Sequence, residues 1–202
     1  MANVNKPSGF TPSQYLNGAE WSGQARLYSI AAAYATALYI GDPVISSGTS
    51  DANGVPGVIL GAATGALRGV IVGIGSSEGL IANIVNPNIS YRPAAAQTTD
   101  WYAMVVDDPN VLFEIQEQSN GTALAATEIG LNTVPILAAG NGFVSGWLLA
   151  SASGATPNTT ATLQLRLMGL VRRQGNAFGA YAKHLVKINV HELGTGTGAA
   201  GV

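Results

Sequence analysis

The sequence predicts an all-β protein, a jelly-roll-like sandwich or barrel with an extended N-terminal arm and little helix. From residue 24 onward, short apolar runs rich in Val, Ile, Leu and Tyr alternate with clusters of turn-forming residues, a pattern typical of all-β domains. One segment, at about 123–131, has helical spacing, and Gly130 would end it after a turn or two. About ten strands at such short spacing close naturally as a sandwich or barrel, because closure shields the sheet edges.

Candidate strands cover most of the chain. We predict them at about 25–31, 36–41, 43–46, 57–61, 67–74, 101–107, 111–117, 142–151, 160–172 and 183–190. No linker rich in charge or proline divides the chain. We therefore predict an extended N-terminal arm over 1–23, a single β domain over 24–193 and a flexible Gly, Thr and Ala tail over 194–202.

The last two candidate strands show the period of two most clearly. Leu165 and Leu167 share one face of 160–172, whereas Arg166 lies on the other. In 183–190, His184 and Val186 share a face with the apolar residues that follow at the same spacing. Both faces of this strand mix polar and apolar residues, so it could contact a second layer.

Two segments carry strong turn signals. Asp107, Asp108, Pro109 and Asn110 separate two β-rich runs and predict a tight hairpin, because proline fixes φ while Asp and Asn cap their own backbone. The segment 46–57 gathers Gly, Asn and Pro and predicts an exposed loop.

The N-terminal arm contains three scattered aromatic residues, Phe10, Tyr15 and Trp21. Disordered tails are poor in aromatics, so this segment is expected to be ordered against a surface, either its own domain or a neighbour's. Removing residues 1–22 should weaken assembly more than it lowers the folding stability of the monomer.

The composition is poor in charge. Charged residues make up 10% of the 202 positions and apolar residues 47%, against about 25% charge in ordinary soluble domains. Either uncharged polar residues cover the surface, or neighbouring subunits occupy much of it. The net charge of −2 and the absence of a basic excess argue against a nucleic-acid partner.

Nothing in the sequence indicates a membrane or a secreted location. The beginning of the chain lacks the apolar run of a secretory signal, so we expect synthesis in a cytoplasm. The longest apolar stretch, 27–40, is fourteen residues long and therefore shorter than the roughly 20 residues that cross a bilayer. Cysteine is absent, which excludes disulfides and thiolate chemistry.

No residue pattern specifies a catalytic, cofactor or metal site. The two histidines, His184 and His191, would lie on opposite faces of one unbroken strand and are poor candidates for a shared metal. Glu114 and Glu117 differ by three positions, which also separates them across a strand. Asp51 lies in a loop that only partly resembles a calcium loop, because further acidic ligands do not follow.

Arg172 and Arg173 form the one cluster of positive charge in the sequence. Guanidinium groups suit carboxylates at protein interfaces as well as phosphates. Without a wider basic patch, the pair indicates a protein interface or a solvated strand end. We therefore predict a partner interface that includes Phe10, Tyr15, Trp21, Arg172 and Arg173.

The chain resembles the cement, or decoration, proteins of tailed-bacteriophage capsids, particularly those of short-tailed phages. The similarity lies in ordered landmarks that span most of the chain: MANVNKP at the start, ALYIGDPV at 37–44, DANGVP at 51–56, RGVIVG at 68–73, YRPA at 91–94, VVDDPNVLFEIQE at 105–117 and GAYAKHLVKINVHEL at 179–193.

This resemblance implies a jelly-roll-like protein on the outside of a virion shell. Its partner would be a major capsid protein of the HK97-like kind, and the protein itself would form homotrimers at threefold or quasi-threefold positions. Such proteins clamp adjacent capsomers against internal DNA pressure and thereby stabilise the head.

Two other functions stay open from the sequence. One is a carbohydrate- or host-surface-binding module of a virion spike or tail, since exposed Tyr and Trp side chains often stack on sugars. The other is a hydrolase, which would require a pocket that joins His184 or His191 to a serine and a carboxylate.

Overall fold

We describe residues 3–76, 89–138, 140–194 and 197–201 of a computed structural model. Fourteen strands lie within these ranges. They are β1 Thr11–Tyr15, β2 Arg26–Ile30, β3 Leu38–Tyr39, β4 Pro43–Ser50, β5 Pro56–Leu60, β6 Gly69–Ser76, β7 Tyr91–Arg92, β8 Trp101–Val106, β9 Val111–Gln116, β10 Asn132–Thr133, β11 Pro135–Ile136, β12 Leu148–Leu149, β13 Leu165–Leu170 and β14 Lys183–Ile188.

The all-β prediction is confirmed. The segment predicted to be helical forms only a 3₁₀ turn, Ala126–Glu128, and the described ranges contain no longer helix. Gly130 follows it with a positive φ of 97°, a conformation that glycine adopts without steric cost. Little of the chain is therefore helical.

Five strands close a barrel in the order β2, β5, β4, β6, β8. Antiparallel pairing joins β8 to both β2 and β6, and joins β4 to both β5 and β6. The barrel closes where β2 runs parallel to β5, with Ser29 opposite Gly57. Closure leaves few free strand edges, as the short strand spacing predicted.

A second sheet has five strands in the order β1, β9, β14, β13, β10, all antiparallel. In its central strand β14, His184, Val186 and Ile188 are buried, whereas the residues between them are only partly covered. Leu165 and Leu167 are buried on β13. The predicted alternation on both strands is therefore confirmed, and one face of this sheet contacts the core.

The apolar core has two parts that share the barrel wall. Val70 of β6 and Val106 of β8 contact the cluster between the barrel and the sheet, which includes Phe10, Phe113 and Trp147. Their neighbours Ile71 and Val105 contact the cluster inside the barrel. Successive side chains of a strand point to opposite faces, so β6 and β8 bury both faces and join the two halves.

The predicted hairpin at 107–110 is wrong. The turn is present, with the Val111 amide bonded to the Asp108 carbonyl at 3.1 Å, but β8 belongs to the barrel and β9 to the sheet. The buried Asp107 carboxylate accepts a 2.7 Å hydrogen bond from the Tyr28 hydroxyl and lies 3.4 Å from the Arg26 guanidinium. These contacts hold the end of β8 in the barrel, and the turn that follows directs β9 into the five-stranded sheet.

Two further boundaries differ from the sequence prediction. Strand β4 continues into the predicted loop as far as Ser50, which pairs with Pro56 after a register irregularity between Ser46 and Ser50. The Asp51 carboxylate caps the turn that follows by accepting hydrogen bonds from the Asn53 and Val55 amides. Of the predicted strand 142–151, only Leu148–Leu149 is extended and paired.

The predicted N-terminal arm lies on its own domain. Strand β1 pairs with β9 at the edge of the five-stranded sheet, and the Phe10 ring meets Phe113 edge to face at 6.2 Å. Gly9 has a φ of +63°, and any side chain there would clash with Ser145 and the backbone of Gly41. This close approach draws the chain into the core just before β1.

The described part of the predicted tail also contacts the domain. The Ala199 amide donates to Asn189 Oδ1 at 3.0 Å, and the Ala199 carbonyl accepts from Asn132 Nδ2 at 2.8 Å. Gly201 is buried, and its amide donates to the Thr159 carbonyl.

Because Phe10 is 1% exposed, replacing it with alanine should lower the free energy of unfolding by about 3–5 kcal/mol. Val4→Ala is a matched control on the same segment, since Val4 is 74% exposed, and should cost less than about 0.5 kcal/mol. Urea unfolding followed by tryptophan fluorescence measures both. Equal losses of unfolding free energy in the two variants would contradict the assignment of Phe10 to the core. Removal of residues 1–22, which takes away both Phe10 and β1, should also destabilise the monomer.

A second prediction concerns pH. Burial raises the pKa of Asp42 from 3.8 to about 6, against the opposing effect of hydrogen bonds from Ser145 and the Tyr39 amide. The folded state therefore binds this proton more tightly than the unfolded state. The resulting stability is present below about pH 4 and is lost as the pH rises through about 6.

Asp42→Asn removes this ionisation and keeps a carbonyl acceptor for the Tyr39 amide. Relative to wild type, the variant should gain about 3 kcal/mol of unfolding free energy between about pH 4 and pH 7. Burial lowers the pKa of His191 to about 4, so this group makes the free energy of unfolding increase with pH. Because His191 is present in both proteins, its contribution cancels when the variant is compared with wild type. Urea titrations across this range test the prediction, and a pH-independent difference would contradict it.

Candidate partner interface

The aromatic residues of the predicted interface occupy different environments. Phe10 is buried in the core of its own chain and presents almost no surface to a partner, unlike the other four residues of the predicted interface. Tyr15 and Trp21 are half-buried and pack against the edge of the same core. The Tyr15 hydroxyl donates to Gln24 Oε1 at 2.7 Å, and Trp21 Nε1 donates to the Gln24 carbonyl at 3.2 Å. Both rings are therefore held in place at the edge of the protein.

Arg172 and Arg173 follow β13 and are exposed. Arg173 makes an ion pair with Glu114 of β9, with a 3.3 Å distance between the guanidinium and the carboxylate. An exposed pair of this kind contributes only about 0–1 kcal/mol to stability. The two arginines are thus available at the surface and are not needed for folding.

The five-stranded sheet presents a surface that we call the outer sheet face. It consists of the side chains of β9, β13 and β14 that point away from the core. On β14 these are Lys183, Leu185 and Lys187, which alternate with the buried residues. Leu185 pairs with Glu114, and Lys187 pairs with Arg166. Paired residues share a face of a sheet, so basic and apolar side chains are mixed across this surface.

Positive charge is concentrated on this side of the molecule. Six of the nine Lys and Arg residues lie on the outer sheet face or at its margins. They are Lys6, Arg166, Arg172, Arg173, Lys183 and Lys187. On the barrel side, Arg26 and Arg68 are paired with Asp107 and Glu192 at 3.4 and 3.5 Å. The outer sheet face therefore complements a negatively charged surface.

Two grooves open onto this side. The sheet groove has a volume of about 680 Å³ and runs across the outer sheet face, where Met168, Leu170, Leu185 and Phe178 supply apolar walls and Arg172 a cation. Phe178 is among the exposed large apolar side chains of the described chain. Exposed apolar walls beside charges are typical of surfaces that bind other proteins.

The second cavity, the N-terminal groove, has a volume of about 690 Å³. One wall is the segment 3–8, and the opposite wall is the loop that leads from Arg173 into β14. Arg173 lines this groove while its guanidinium contacts Glu114 in the wall of the sheet groove. The two grooves are therefore neighbours.

Sequence reasoning identified the arginine pair but not the N-terminal groove. Its walls come from segments more than 160 positions apart, and they meet because Asn3 hydrogen-bonds the backbone of Ala177 and Ala180. Of the two lysines that line it, Lys6 lies in the predicted arm and Lys183 in a predicted strand. No local pattern joins such residues, although a surplus of cations in the C-terminal third was visible.

The two histidines are both buried. His184 Nε2 lies 3.1 Å from Glu117 Oε2, and Glu117 Oε1 accepts a 2.7 Å hydrogen bond from the Leu124 amide. His191 Nδ1 accepts a hydrogen bond from the Leu193 amide. Among the described residues no serine hydroxyl bonds to either imidazole. The recorded partners of the two imidazoles are therefore Glu117 for His184 and the Leu193 amide for His191.

The described ranges were also compared with the requirements of a metal-binding cluster and of a membrane-spanning helix. They hold no group of three or more His, Cys, Asp or Glu side chains arranged to bind a metal ion. The Asp51 carboxylate is occupied by its turn and by the Tyr102 hydroxyl at 2.7 Å. No helix in the same ranges has the length and apolar character that spanning a bilayer requires.

The chain matches no protein-family model, no curated protein and no solved structure. Its function is therefore inferred from the fold and from the surface described above.

The buried pair of Glu117 and His184 should be structural. Glu117→Ala leaves the imidazole and the Leu124 amide without their partner, and we expect a loss of about 3–5 kcal/mol in unfolding free energy. Glu114→Ala is a matched control on the same strand, because its partly exposed carboxylate makes an ion pair with Arg173 and a long 3.5 Å hydrogen bond with the Ser13 hydroxyl, and it should cost about 0–1 kcal/mol. Chemical denaturation measures both, and similar costs would contradict the structural role of the buried pair.

Proposed function

We propose that this chain is a virion structural protein that binds the outside of a capsid shell and clamps adjacent capsomers. Its partners would be a major capsid protein of the HK97-like kind and other copies of itself in a homotrimer. One observation carries the proposal: the outer sheet face and its two grooves combine exposed apolar walls with six of the nine basic residues. The resemblance of the sequence to capsid cement proteins supports the same function.

The fold suits such a role because it presents a broad surface on a stiff support. The outer sheet face lies on strands whose opposite side is buried against the core. A protein that covers roughly 800 Å² per partner at several interfaces binds firmly even when single contacts are weak. Loss of the whole assembly from the shell would then be slow, since all contacts must break together.

The proposal predicts that the protein raises the resistance of heads to rupture. Heads of the virus that encodes the chain are prepared without the protein and then supplied with it, and DNA release on heating is followed with a fluorescent dye. We expect rupture at a higher temperature when the protein is present. Unchanged rupture at saturating protein would contradict the clamp.

A charge reversal locates the contact. Arg172→Glu should weaken binding to heads about tenfold, since it replaces an attractive contact with a repulsive one. The double variant Ala52→Glu, Thr64→Glu is the matched control, because both positions are exposed in barrel loops and the change in net charge is the same. Co-sedimentation with heads measures both, and thermal melting verifies folding. Equal binding of the two variants would contradict this location.

A further inference from the structure

The N-terminal groove has walls that are fixed before any ligand binds. Asn3 Nδ2 donates to the carbonyls of Ala177 and Ala180 at 2.8 and 3.0 Å, and Asn3 Oδ1 accepts from the Ala177 amide. Asn176 bonds both the amide and the carbonyl of Lys183, at 2.9 and 2.8 Å. These amide side chains are engaged in holding the backbone. A ligand would therefore meet a preorganised cleft, which lowers the entropic cost of binding.

Every charged side chain that lines the groove is cationic. These are Lys6, Lys183 and Arg173, of which Arg173 also pairs with Glu114 at 3.3 Å, and none of the lining residues is acidic. Burial lowers the pKa of Lys183, and the nearby charges of Arg173 and Lys6 lower it further, whereas Glu114 opposes them. Lys183 is thus close enough to the other two cations to be repelled by them. An anion placed between them would remove that repulsion.

The margin of this groove is apolar. Val4, which lines it, is 74% exposed, and Phe143, which lies in the sequence between the lining residues Asn141 and Val144, is 69% exposed. A free phosphate or a sugar would leave these side chains in water. A polypeptide with apolar side chains next to its carboxylates would cover them, and burial of such aromatic and aliphatic groups is what anchors protein interfaces.

Tyr181 adds an independent observation. It is the one non-glycine residue in the described ranges with a left-handed backbone, at φ +62°, and it lines the same groove. Such a conformation is costly for a tyrosine and persists only where the surroundings enforce it, most often at functional sites. The neighbouring Gly179, with φ +138°, and the bonds made by Asn3 and Asn176 enforce it here.

We propose that the N-terminal groove is a preformed binding site for an acidic peptide segment of the partner protein, one that alternates carboxylates with apolar side chains. This inference rests on the proposed function, because it names the chemistry by which one surface of the shell protein would be recognised. The carboxylates would lie among Lys6, Arg173 and Lys183, and the apolar side chains would cover Val4 and Phe143.

The experiment uses the full chain and no shell. The probe is a short fluorescein-labelled peptide of alternating glutamate and phenylalanine, and fluorescence anisotropy measures its affinity. Two further peptides replace glutamate with glutamine or phenylalanine with glycine. We expect each replacement to weaken binding at least tenfold. Added salt should also weaken binding of the glutamate–phenylalanine peptide, because it screens the attraction between charges. Equal binding of the glutamate and glutamine peptides would overturn the proposal.

Variants of the protein test the location. Lys6→Gln should weaken peptide binding about tenfold, and adding Lys183→Met, which keeps the apolar stem, should weaken it further. Lys187→Gln is the matched control on the same strand, outside the groove lining, and should bind as wild type does. Binding that is unaffected by Lys6→Gln, or reduced equally by Lys187→Gln, would overturn the proposal.

Competition separates the classes of ligand. Inorganic phosphate and an acidic oligosaccharide should displace the peptide only at much higher concentration than unlabelled peptide does. If either competes as well as the peptide, the groove is a general anion or sugar site and the proposal fails. Peptide binding that persists while heads gain no stability would instead refute the proposed function and leave the groove assignment intact.

Discussion

The fold depends on the two barrel strands that bury both of their faces. Ile71 and Val105 fill the barrel, while their neighbours Val70 and Val106 pack beneath the five-stranded sheet. Because successive side chains point in opposite directions, each of these strands contributes side chains to both apolar clusters, the one inside the barrel and the one between the barrel and the sheet. Separating the barrel from the sheet would expose both cores, so the two halves are expected to unfold together.

This shared wall explains how a charge-poor chain can offer a stiff external surface. Among the described residues, the five-stranded sheet has its inner face held against the core and its other face partly exposed. The N-terminal segment is fixed beside it by Phe10 and β1. Most basic side chains gather at that surface, whereas Arg26 and Arg68 on the barrel side have carboxylate partners. The binding surface that we propose is therefore a consequence of the packing and requires no mobile arm.

The alternation of apolar and polar residues along the chain predicted the fold class and most of the longer strands, including the buried faces of β13 and β14. It did not predict the change of sheet at Asp107–Asn110, because a turn sequence specifies a reversal of direction and not which strand the next one pairs with. The two-residue strands β7, β10 and β11 are too short to show a period. Arg172 and Arg173 were visible as a sequence cluster, but the N-terminal groove depends on a long-range contact between Asn3 and Ala177.

The claim that this side of the sheet is where the protein meets its shell can be tested most directly by hydrogen–deuterium exchange. Mass spectrometry would compare the free protein with the protein bound to heads. We predict that binding slows exchange in the segments 3–8 and 173–185 and leaves the barrel hairpin tip at 48–55 unchanged. Slower exchange confined to the barrel hairpin, with no change in the two sheet segments, would contradict the account.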